Sequence, residues 1–109
     1  MAAALSAYAS SGNPEDKLEW PVRGEILAYY SCGCADSCWV AEVRDARTKT
    51  LKARLRCDCE TLYFFRAGDE KERIVSESCS SINDSESKFD LIPRKMESLI
   101  RSKVGVEHQ

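Results

Sequence analysis

"CWVAEVRDARTKTLKARLRC", residues 38–57, is the stretch on which the fold turns. Its first half alternates, with Trp39, Ala41 and Val43 on one side and Val40, Glu42 and Arg44 on the other. Its second half does the same, with Leu51, Ala53 and Leu55 set against Lys52, Arg54 and Arg56. Period two over two runs joined by the short polar link "ARTKT" is the pattern of a half-buried β-hairpin. The link lacks the favoured Asn-Gly pair, so the evidence for a hairpin is the alternation rather than the turn.

Working outward, "EWPVRGEILAYYSC" (19–32) predicts a strand before the hairpin, with Pro21 tolerable at its start. "ETLYFFR" (60–66) predicts another through Leu62 to Phe65, and "AGDEKE" a turn with its tip at Gly68-Asp69. "RIVSESC" (73–79) then returns antiparallel, and "SSINDSESK" reads as a polar connection. In "FDLIPRKMESLIRSKV" (89–104) the residues Leu91, Ile92, Met96, Leu99, Ile100 and Val104 recur at helical spacing. Asp90 or a nearby Ser would cap that helix, and Pro93 fits its first turn. The expected fold is α+β: a small antiparallel meander of four to five strands, one C-terminal helix, and disulfide staples.

Domain organisation follows from composition. Residues 1–19 form an expected flexible tail, 20–104 a single cysteine-rich domain, and 105–109 a frayed C-terminus. The tail has the small residues of an export-signal end but not its basic beginning. Leu5-Ser6-Ala7 followed by Tyr8-Ala9-Ser10-Ser11-Gly12 resembles a bacterial lipoprotein cleavage box. That resemblance implies a lipid-bearing Cys at position 8 and a Ser/Gly tether after it. Position 8 is Tyr, so the chain as written is not lipidated there. The segment is either an altered remnant of export or an Ala/Ser-rich start of no special meaning.

The chain holds six cysteines, Cys32, Cys34, Cys38, Cys57, Cys59 and Cys79, among 109 residues. Zinc would use Cys32, Cys34, Cys57 and Cys59, but Cys-X-Cys spacing departs from the usual ligand turns, and two cysteines are left over. A thiol-redox centre expects Cys-X-X-Cys at a helix start, whereas here Asp36, Asp58 and Glu60 sit beside the cysteines and disfavour thiolate. Disulfides fit the even count and the small domain. Six cysteines allow 15 pairings, and sequence does not choose among them. The hairpin register adds one constraint: Cys57 shares the face of Trp39, whereas Cys38 lies on the other. A Cys38–Cys57 bridge would therefore need a bulge.

A charged fraction of 31% with net charge −2 gives no concentrated positive field for nucleic acid. No run of eighteen apolar residues supplies a transmembrane segment. The sole His, His108, lies near the C-terminus, so no Ser-His-Asp triad is expected, and Asp36, Asp58 and Glu60 read as solvated loop carboxylates. The aromatic residues Tyr29, Tyr30, Tyr63, Phe64, Phe65, Trp20 and Trp39 are expected mostly in the core. Lys49, Lys52, Arg54 and Arg56 form a basic stripe, either a solvated face or a docking surface for an acidic protein or envelope component. The expectation is a non-enzymatic binding protein of the bacterial cell envelope, exported to the periplasm, inhibitor- or immunity-like or an accessory lipoprotein, without cofactor. The alternative is a cytosolic interaction module stabilised by zinc.

Overall fold

The computed structural model describes residues 14–102. The lipoprotein-like segment, Val104 and residues 105–109 lie outside them. Six strands follow one another: β1 (Asp16–Leu18), β2 (Glu25–Gly33), β3 (Cys38–Asp45), β4 (Leu51–Asp58), β5 (Thr61–Arg66) and β6 (Arg73–Ser78). Two helices complete the fold, a single turn α1 (Ser80–Asn83) and the longer α2 (Lys88–Arg101). Every strand pairs antiparallel with its sequence neighbour, in the spatial order β1-β2-β3-β4-β5-β6. The fold is thus an α+β meander with a C-terminal helix.

The hairpin is the centre of the sheet. Trp39 faces Cys57, Ala41 faces Leu55 and Val43 faces Ala53 across β3 and β4. These six side chains are buried together with Leu27 and Tyr29 from β2 and Leu62 and Phe64 from β5. Ile92 and Met96 of α2 and Ile82 of α1 close this face. At about 25 cal/mol per Å² of apolar area, burial of Trp39, Phe64 and the aliphatics dominates the stability of a domain this size.

Of the seven aromatics expected mostly in the core only Tyr29, Trp39 and Phe64 are buried, and Trp20, Tyr30, Tyr63 and Phe65 are half-buried. Four backbone features also differ from the sequence expectation. The first is β1, which falls inside the segment read as a tail and brings the strand count to six. Its one apolar residue, Leu18, packs with Trp20 against the core, and Glu15 just before it pairs with Arg44. Three residues carry too little alternation to signal a strand. The second is α1, inside the polar connection, where Ile82 and the buried Cys79 anchor one helical turn.

The third is the start of α2. It begins at Lys88, with Ser87 at its N-cap, so Pro93 is its sixth residue and is buried. Proline there donates no hydrogen bond to the Phe89 carbonyl. Packing of Ile92, Pro93 and Met96 on the sheet overrides the local preference. The fourth is a register shift between Val43 and Arg44. Arg44 pairs with Leu51 and Val43 with Ala53, which leaves Lys52 as the extra residue of a bulge.

Candidate functional site

The six cysteines form three disulfides, all toward one end of the sheet. Cys32 joins Cys38, Cys34 joins Cys59, and Cys57 joins Cys79. Their Cα separations of 4.9, 6.3 and 5.9 Å lie within the usual span. Cys32 is the unpaired residue where β2 shifts register, between Ser31 opposite Trp39 and Gly33 opposite Cys38. That irregularity brings it within reach of Cys38. Each Cys-X-Cys unit sends its two sulfurs to different partners. The zinc set Cys32, Cys34, Cys57 and Cys59 is accordingly spread over all three bridges. Three disulfides fit an oxidising compartment outside the cytoplasm, and among the described residues no helix is long and apolar enough to cross a membrane.

Environment separates the bridges. Cys57 and Cys79 are buried in the core, while Cys32 and Cys34 are exposed and Cys38 and Cys59 half-buried. Between the exposed pairs the backbone is unusual. Gly33, Cys34, Ala35 and Asp36 have φ of 123, 51 to 53 and 75°, a run of positive values in which only the first residue is glycine. Left-handed backbone costs a residue with a Cβ roughly 1–2 kcal/mol. The run closes on itself, with the Ser37 amide donating to the Cys34 carbonyl at 2.9 Å.

Asp36 ties this turn to the body of the protein. The Tyr29 hydroxyl donates to its Oδ1 at 3.0 Å. Lys88 Nζ, from the start of α2, donates to its carbonyl oxygen at 2.8 Å and to its Oδ2 at 3.1 Å. Burial pushes the Asp36 carboxyl upward, but hydrogen bonds from Lys88, Ser31 and Tyr29 and the Lys88 charge together hold it below the usual range. Burial, and then the bond to Asp36, raises the Tyr29 phenol well above its ordinary value. Phe89 stands edge-on to Tyr29, with ring centroids 5.1 Å apart, and is 48% exposed.

Beneath the turn lies a polar node that sequence reasoning missed. Asn83 Oδ1 accepts the Trp39 Nε1 hydrogen at 2.7 Å. Its Nδ2 reaches the Ser37 carbonyl at 3.4 Å and the Cys57 sulfur at 3.5 Å. One side chain from α1 thereby joins the central strand, the turn and the buried bridge. A buried indole N–H requires an acceptor, and this was the available signal; the acceptor lay in a segment read as polar connection.

Carboxylates predominate beside the bridges. Asp36, Asp58 and Glu60 are all exposed next to bonded cysteines, and Lys88, which clamps Asp36, is the cation that reaches the turn. The three carboxylates noted beside the cysteines in the sequence therefore do gather at one end.

The cations of the basic stripe are each met by neighbouring groups. Lys49 sits in the β3–β4 turn and donates to the Ala46 carbonyl, and Lys52 on the bulge pairs with Glu25 at 2.9 Å. Arg54 lies between Glu42 and Glu72 at 3.9 and 3.7 Å, and Arg56 pairs with Glu72 at 2.9 Å. Arg54 also covers the Phe65 ring at 5.1 Å and Arg56 the Tyr63 ring at 4.3 Å. Glu72 is held below its ordinary pKa, chiefly by the hydrogen bond from Arg56. These cations are therefore spent on neighbouring acids and rings. Compared with known proteins, the chain matches no family model, no curated protein and no solved structure.

Proposed function

We propose that this chain is a small exported binding protein of the bacterial cell envelope, without catalysis of its own, that recognises a partner protein through its sulfur-bonded end. One observation carries the reading: an exposed left-handed turn, Gly33 to Asp36, sits between two disulfides and is clamped by Tyr29 and Lys88. Backbone strain kept at an exposed position by surrounding bonds is typical of recognition and active sites. A turn fixed before contact loses little entropy on binding, which is how rigid loops gain affinity.

The chemistry of the end describes the partner. The exposed carboxylates Asp36, Asp58 and Glu60 at the bridges favour a cationic surface, and Phe89, edge-on to Tyr29, offers an apolar contact. A left-handed turn does not lie in a groove that adds an extended strand, so any inhibitory action works by covering a site rather than by imitating a peptide substrate. An acidic partner on the arginine face, the other surface considered, has less support because Glu42 and Glu72 already answer those charges. Inhibitor, immunity or accessory-lipoprotein roles all suit such a scaffold, in the periplasm or at the envelope surface.

A photo-crosslinking residue at Ala35, compared with one at Tyr63 on the arginine face, tests the reading in envelope extract. The reading expects a discrete adduct from position 35 that disappears when Asp58→Lys and Glu60→Lys are added. An adduct from position 63 alone, or one from 35 that is indifferent to charge reversal, would refute it.

A further inference from the structure

The two exposed bridges and the buried one differ in a way that bears on control of the same end of the molecule. We propose that the Cys32–Cys38 and Cys34–Cys59 disulfides form a reducible latch. A dithiol reductant opens it to release the turn, while Cys57–Cys79 keeps the sheet folded. The latch itself stands on the sulfur environments; only its effect on partner binding rests on the recognition reading.

Three observations support this. Exchange requires a thiolate to reach a disulfide sulfur in line, so access governs which bridge reacts. Cys32 and Cys34 are exposed, whereas Cys57 and Cys79 are 1% and 0% exposed beneath α1. The consequence of opening is also local. The latch holds a run of left-handed residues that would relax once its sulfurs part, because Cys34, Ala35 and Asp36 carry a Cβ and disfavour that backbone. Finally, the core has a bridge of its own, while the turn is tied to it through Asn83 and the Tyr29–Lys88 clamp. Trp39, Leu55, Phe64 and Met96 pack around the buried bridge, and the Trp39–Asn83 bond lies on the same side as that core.

The chemistry balances as two successive exchanges. One thiolate of the reductant attacks a latch sulfur, the S–S bond breaks and the departing sulfur takes a proton. The second thiol of the reductant then displaces the remaining cysteine, so two electrons leave the dithiol as it becomes a disulfide. Repetition at the second bridge leaves Cys32, Cys34, Cys38 and Cys59 as thiols. Because Asp36, Asp58 and Glu60 lie next to these cysteines, a dithiol whose only charge is the attacking thiolate meets less repulsion than a thiol bearing further carboxylates.

The test uses the whole chain with graded dithiothreitol, native-state alkylation and peptide mapping, followed by amide hydrogen exchange on the partly reduced protein. The latch predicts that Cys32, Cys34, Cys38 and Cys59 label at least tenfold faster than Cys57 and Cys79. It also predicts that amides 33–37 then exchange at least tenfold faster while those of β3 and β4 from Val40 to Leu55 do not. Simultaneous labelling of all six, or unchanged exchange at 33–37, would overturn it. A variant with serine at the four latch positions gives an independent check: retained near-ultraviolet dichroism from Trp39 supports the latch, and loss of that signal contradicts it. No partner enters these measurements, so a failure of Ala35 crosslinking would remove the recognition reading and leave the latch standing, and the reverse holds equally.

Discussion

The sulfur-bonded end and the arginine-bearing face are both rich in charge, yet they are built on opposite principles. On the face, Arg44, Arg54 and Arg56 alternate with Glu15, Glu42 and Glu72, and the arginines of β4 lie over Phe65 and Tyr63. Attraction is satisfied within the protein and little remains for a partner. At the sulfur end the carboxylates outnumber the cations and the backbone is held in a costly shape by covalent bonds. A run of like charges in sequence is thus a poor guide to an unbalanced surface, because the opposing charges arrive from other strands.

The largest expected effect separates the buried bridge from the short exposed one, Cys32–Cys38. Closing a loop with separation 22 stabilises by about 3 kcal/mol in the chain-entropy model, against about 2 kcal/mol for separation 6. Cys57→Ala with Cys79→Ala also opens a gap in the core. It should therefore lower unfolding free energy well beyond the loss from Cys32→Ser with Cys38→Ser, part of which is returned as the turn relaxes. Urea unfolding of the two double variants measures the difference, and equal losses would erase the distinction between the two kinds of bridge.

Next in size is Asn83→Ala. It leaves the Trp39 Nε1 hydrogen buried without its acceptor, a loss of about 1–3 kcal/mol. Equilibrium unfolding followed by Trp39 fluorescence reads it, and a change below about 0.5 kcal/mol would mean the node is incidental. Sensitivity to pH should come next and should localise to the clamp. The Tyr29 phenol is raised in the folded state, so above the ordinary tyrosine value near pH 10 the unfolded chain loses a proton that the folded one keeps, and stability falls as pH rises. Asp36 is lowered, so its contribution is complete above the ordinary aspartate value near pH 4 and is lost as pH falls through the folded value. Tyr29→Phe should flatten much of the alkaline limb of a stability–pH curve. The smallest effect belongs to the arginine face: Arg54→Ala should change stability by under about 1 kcal/mol, as expected for partly exposed pairs, and leave Ala35 crosslinking unaltered.

The sheet's centre was legible because burial on one face writes period two into the chain, and Trp39, Ala41, Val43, Leu51, Ala53 and Leu55 show it without interruption. Even there the bulge was not, since Lys52 is a polar residue in a polar slot whichever way the ladder shifts. Leu51 is consequently opposite Arg44 rather than in line with Ala53. β1 was hidden by its length, and the start of α2 by Pro93, which ordinarily marks a first turn. Disulfide formation was readable from count and size, but pairing depends on the β2 shift at Cys32 and on α1 carrying Cys79 to the core. The left-handed turn had a single local sign, Gly33; Cys34, Ala35 and Asp36 adopt that backbone under tertiary constraint rather than by preference. Of the candidate site, the acidic neighbours of the cysteines were visible and their convergence was not.

Peptide mapping of the native protein, digested without reduction at acidic pH to prevent exchange, tests the disulfide framework on which both ends depend. The framework predicts three linked peptide pairs, Cys32 with Cys38, Cys34 with Cys59 and Cys57 with Cys79, and no alkylatable thiol. Free thiols at these positions, or Cys57 joined to any residue other than Cys79, would contradict it.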